Sequence, residues 1–163
     1  MSNVNPMENA HWSFIAMEYY ALILNRTYVI NIKDDALCGV VCRGLTSIEG
    51  GGDTLTRSAT GKLAVNGDIN DPNSYVDITA INKPHRANFC IPLSDIRQVE
   101  YTPQKKWGMG YYPHDGRVFV VTPDSKREFI ILGNQSGKEI ATRLNAGVAV
   151  ANKSFKPTPQ SGA

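Results

Sequence analysis

The stretch Gln104 to Arg117 is the strongest functional candidate in the sequence, holding Lys105, Lys106, Trp107, Met109, Tyr111, Tyr112, His114 and Arg117. These side chains recognise rather than react. Trp and Tyr offer broad contact area at low entropic cost and are favoured at protein interfaces. Lys105 and Lys106 suit an acidic partner or an anionic membrane surface. Two lysines contribute roughly 2 kcal/mol at such a surface, too little for stable anchoring. The competing expectation is that Trp107 and the tyrosines fold back onto the body of the protein, as large aromatics usually do.

Other constellations carry less. Cys38, Cys42 and Cys90 are an odd number of cysteines and lack the spacing of a disulfide framework. In a strand, Cys38, Val40 and Cys42 share one face, where both cysteines would act as small buried hydrophobes. A zinc site needs about four suitably spaced ligands, so no metal is expected, nor any cofactor. His85 and His114 fall in expected loops. Gly61-Lys62 fails as a phosphate loop, because Thr56 stands where glycine is needed and Leu63 where Ser or Thr is needed. Asp34-Asp35 reads as a solvated turn. No Ser/His/Asp spacing suggests a nucleophile, so catalysis is not expected.

The elements that must position the 104–117 loop are mostly strands. The chain has 163 residues, 42% hydrophobic and 20% charged, which suits one globular domain. A net charge of +2 is too small by itself to imply nucleic acid, which needs a concentrated basic surface, so no nucleic acid is expected as a partner. Met1 to Ala10 lacks the pattern of a secretory signal, and Trp12 to Leu24, interrupted by Glu18, is too short to span a bilayer. Together with the cysteine usage this predicts a soluble protein of the reducing cytoplasm. Residues 1–19 are expected to form an N-terminal extension that could open in a helix.

From Tyr20 the pattern turns to strands. Leu22–Leu24, Thr27–Ile32 and Leu37–Cys42 are short apolar, β-branched runs. Residues 46–74 are crowded with turn signals, among them Gly50-Gly51-Gly52-Asp53 and Asn66-Gly67-Asp68, and read as a loop insertion. Tyr75 to Ile81 alternates like a half-buried strand. Phe89 to Leu93 is the next strand, which Pro92 places at an edge or an end. Ile96 to Tyr101 follows. Arg117–Thr122 and Glu128–Leu132 make a hairpin through Pro123-Asp124. Ser136 and Glu139 then stand at capping-box spacing, and Ile140, Leu144, Val148 and Ala151 share one helical face. Residues 153–163, rich in proline, read as a flexible tail.

The run Phe89-Cys90-Ile91-Pro92-Leu93-Ser94-Asp95-Ile96-Arg97-Gln98-Val99-Glu100, then a Gly-Arg-containing strand, the Glu128–Leu132 strand and the terminal helix, resembles bacterial pleckstrin-homology-like domains. Leu22 to Ile30 is similar to the early strands of the related GRAM group. The resemblance covers most of residues 20–145 outside the insertion. It implies a partly open seven-strand antiparallel barrel over residues 20–152, capped by the C-terminal helix, and frequent homo-oligomerisation. It implies no catalytic residues. The basic loop with which eukaryotic members hold phosphoinositides is missing: Arg26 is alone, and Lys33 sits beside Asp34 and Asp35. The expectation is therefore a mainly β, non-catalytic binding or scaffold module. Its candidate contacts are Lys105, Lys106, Trp107, Met109, Tyr111, Tyr112 and Arg117. The partner classes are a second copy of the chain, another protein or, weakly, an anionic membrane. An enzyme or ligand carrier using a barrel pocket is the other alternative.

Overall fold

The computed structural model describes residues 11–20, 24–33, 35–42, 75–81, 84–108 and 113–154. It contains strands β1 (Trp12–Tyr19), β2 (Asn25–Lys33), β3 (Ala36–Cys42), β4 (Phe89–Pro92), β5 (Gln98–Thr102), β6 (His114–Val121) and β7 (Lys126–Leu132), then helix α1 (Gly137–Ser154). All seven strands belong to one antiparallel sheet in the order β4-β3-β2-β1-β7-β6-β5.

Connectivity forces that sheet to curl. Six strand spacings would separate the outermost strands by roughly 29 Å in a flat sheet. Yet β4 and β5, the two margins, are joined only by Leu93 to Arg97. A linker that short reaches no more than about 20 Å. The sheet therefore rolls into a half-barrel, and α1 lies in its hollow. Trp12, Phe14, Ala16, Tyr28, Ile30, Val118, Val120, Phe129 and Ile131 from the strands pack there with Ile140, Leu144, Val148 and Ala151 from the helix. The expected mainly β architecture, a partly open seven-strand barrel capped by one C-terminal helix, is what the chain adopts.

The N-terminal expectation is corrected. Trp12–Tyr19 is not an extension before the barrel, nor helical, but the central strand of the sheet. Its first six residues are all buried. Trp12, Phe14 and Ala16 face the helix side, while Ile15 and Met17 join Val29, Cys42, Ile130 and Leu132 in a second cluster on the opposite side. A strand covered on both faces loses the polar–apolar alternation by which strands are recognised.

Tyr75–Ile81 is also corrected. It is no sheet strand; it ends in a 3-10 turn over Ile78–Ile81. Asp77 sets the turn, its carboxylate accepting from the Thr79 amide at 2.9 Å and the Thr79 hydroxyl at 2.7 Å. The Val76 backbone is satisfied by side chains. Its N–H donates to Ser13 Oγ at 2.9 Å and its carbonyl accepts from Asn31 Nδ2 at 2.8 Å. Of the tail expected at 153–163, Lys153 and Ser154 belong to the helix; the rest of it and the insertion expected at 46–74 lie outside the described residues.

Cys38 is not the lone small hydrophobe expected. Register places it opposite Cys90 with Cα atoms 4.0 Å apart, and the two form a disulfide. Cys42 is buried, as expected. The strand parity is right, but the pairing partner lies 52 residues along the chain.

One side chain completes the sheet. Gln135, 2% exposed, accepts from the Ile15 N–H at 2.8 Å and donates to the Ile15 carbonyl at 2.7 Å and the Leu132 carbonyl at 2.7 Å. The β1–β7 register ends at Ala16↔Ile131, so the primary amide continues the ladder where β7 turns away. The helix start is held by the capping expected at Ser136, whose Oγ accepts from the Glu139 amide at 3.2 Å. Asp115 adds to it: its Oδ2 accepts from the Gly137 amide at 2.8 Å, and its Oδ1 from the Tyr101 hydroxyl at 3.1 Å.

Candidate binding surface

The β5–β6 connection is described up to Gly108 and again from Pro113; Met109, Tyr111 and Tyr112 lie outside the described residues. Strand geometry anchors what is seen. Arg117 on β6 and Glu128 on β7 sit on the side of the sheet away from the helix, in register positions that neighbour each other. Arg117 Nη1 donates to Glu128 Oε1 at 2.8 Å, and Lys106 Nζ to Glu128 Oε2 at 2.7 Å. Arg117 Nε also donates to the Gln104 carbonyl at 3.1 Å. Lys106 Nζ lies 5.9 Å from the Tyr19 ring centroid. The start of the loop is thereby drawn over β6, β7 and the end of β1.

Glu128 answers to that company. Partial burial raises its pKa, but the hydrogen bonds and charges of Lys106 and Arg117 outweigh this and hold it below the usual carboxylate value. Two of the expected contact residues, Lys106 and Arg117, thus serve as struts that share the one Glu128 carboxylate. What the struts present is Trp107, 95% exposed, with exposed Lys105 beside it. Trp107 does not fold back. Nearby, Phe119 on the same side of β6 lies between Lys126 Nζ at 4.5 Å and the Arg117 guanidinium at 5.5 Å from its ring centroid.

His114 opens β6 at an irregularity between His114 and Arg117, where Gly116 takes φ +66° against the Thr102 carbonyl. Its Nδ1 is buried and makes no hydrogen bond. Burial lowers its pKa below 6.5; Lys105 and Arg117 push the same way, and Asp115 opposes them. The unfolded chain therefore takes up this proton more readily than the folded one, so stability falls as pH drops below about 6.5. A His114→Gln variant is expected to show a shallower loss of Tm between pH 7 and pH 5.5 than the parent. Equal slopes would remove His114 as the cause.

A second group of polar residues sits inside the half-barrel, unsignalled by the sequence. Arg127 of β7 makes a two-pronged ion pair with Glu18 of β1, at 3.0 and 2.6 Å; each side chain is 16% exposed. Its guanidinium lies 3.7 Å from the Phe89 ring centroid, 5.5 Å from that of Tyr28 and 5.4 Å from that of Phe129. Glu18 looked only like an interruption in an apolar run, and Arg127 like a hairpin residue. Only the antiparallel pairing of β1 with β7 reveals them as partners.

Among the described residues, no group of three His, Cys, Asp or Glu side chains is placed to hold a metal ion, and no helix is long and apolar enough to cross a membrane. No protein-family model matches the chain, and no curated protein matches its sequence.

Proposed function

We propose that this protein is a non-catalytic binding module of pleckstrin-homology-like architecture, which docks a protein partner through the β5–β6 loop with Trp107 as its anchor. The observation that carries this reading is a 95% exposed tryptophan above a braced base. The Lys106–Glu128–Arg117 brace ties down the start of the loop before binding, which lowers the ordering cost on association. An exposed tryptophan on a braced loop resembles the aromatic anchors that dominate interface energies. The membrane alternative is weaker, because the Glu128 carboxylate offsets one of the two charges of Lys106 and Arg117 and so halves their attraction to anionic lipid.

The first partner to test is a second copy of the chain. The β4 margin offers only four residues and ends in Pro92, which has no N–H to donate, so the loop is a better contact than pairing along β4. Sedimentation equilibrium over a wide concentration range should reveal association that Trp107→Ala weakens about 30-fold, the loss of roughly 2 kcal/mol typical of an interface anchor. Indifference of the assembly to Trp107→Ala would refute the anchor role. A blue shift of Trp107 emission on adding anionic vesicles, reversed by salt, would transfer the loop to the membrane reading.

A further inference from the structure

The Cys38–Cys90 pair joins the shortest strand to the sheet. β4 is a four-residue strand ending in Pro92 and, among the described residues, paired only with β3. Phe89 and Ile91 pack on the helix-side core, so the intervening Cys90 points to the opposite side, where it is exposed; Cys38 is half-buried. An external thiolate can therefore reach the Cys90 sulfur without the barrel opening, and access is one of the conditions that set exchange rates. The neighbouring residue on β4, Phe89, faces inward and forms part of the Arg127 cage. The Phe89 ring lies over Gly39, where any Cβ would collide with it, and forms the wall nearest the Arg127 guanidinium. It further stacks on Phe129 at 5.8 Å and meets Tyr28 edge-on at 5.4 Å. The placement of β4 thus decides whether the cage is closed.

We propose that Cys38–Cys90 is a cleavable cystine through which a dithiol reductant controls access to Arg127. The dithiol's thiolate attacks Cys90 Sγ, and the sulfur–sulfur bond breaks to release Cys38 as a thiolate that takes up a proton. The second thiol of the reductant then attacks the mixed disulfide, freeing the Cys90 thiol and leaving the reductant as its own disulfide. Two electrons pass from the dithiol to the cystine. β4, no longer tied to β3 by a covalent bond, lifts its Phe89 ring from the guanidinium, while β1, β6, β7 and the helix stay in place.

The test uses the full chain with dithiothreitol under native conditions. Mass analysis after alkylation in denaturant should find one modified cysteine before reduction, Cys42, and all three after it. Reduction should raise amide exchange across Phe89–Leu93 and phenylglyoxal modification of Arg127 at least tenfold, and leave exchange in β6 and β7 unchanged. A Cys38→Ser/Cys90→Ser variant should match the reduced protein; if it fails to fold, the reduced parent alone decides. Three alkylated cysteines in protein handled in air, reduction only under denaturing conditions, or an unchanged rate at Arg127 after reduction would each overturn the proposal.

Discussion

Replacing Gln135 by alanine is expected to lower the unfolding free energy by about 3–5 kcal/mol, among the largest losses available from one polar residue. The amide holds the N–H and C=O of Ile15 and the C=O of Leu132, all in a region closed to water. Truncation leaves these backbone groups buried and unmatched, at about 1–3 kcal/mol each. Gln135→Leu, which restores volume but not the hydrogen bonds, should recover little. Urea unfolding of both variants measures this. A loss under about 1 kcal/mol for Gln135→Ala would mean that water enters and takes over the three bonds.

Leu144→Ala should cost about 2–5 kcal/mol, because the side chain is 1% exposed at the centre of the helix stripe. It lies among Ile140, Val148 and the inner face of the half-barrel, so its removal leaves a cavity rather than a surface dimple. For a chain of this length, Tm should fall by roughly 10 °C. An unchanged melting curve would show that α1 contributes nothing to the barrel's cohesion. The exposed Val150 on the same helix serves as the contrast: Val150→Ala should move Tm very little.

These two residues also show what the sequence reveals and what it hides. Leu144 was legible because a helix written at three- and four-residue intervals, with Ser136 at its cap, carries its whole signal locally. The β6–β7 hairpin was legible for the same reason, since Pro123-Asp124 fixes its turn and its strands are contiguous. Gln135 carries no such local signal, because its role depends on Ile15, 120 residues away. The Cys38–Cys90 bond and the Glu18–Arg127 pair share that distance problem: each needs the strand register, which no short window contains. β1 was hidden differently, by being apolar on both faces. In the loop, the exposure of Trp107 could be posed as one of two outcomes. The tying of Lys106 and Arg117 to one carboxylate could not, since Glu128 appeared only as a strand residue.

The position of β1 between β2 and β7 has a consequence for biosynthesis. The chain segment bearing Phe14 and Ile15 leaves the ribosome long before the one that pairs with it. At about 5–20 residues per second, the 120 residues between Ile15 and Gln135 take roughly 6–24 s to appear. For that interval a strand whose first six residues are buried in the folded protein has β2 on one flank and nothing on the other. The nascent polypeptide is therefore expected to need shielding by a holding chaperone, and to gain protease resistance only after translation has passed β7.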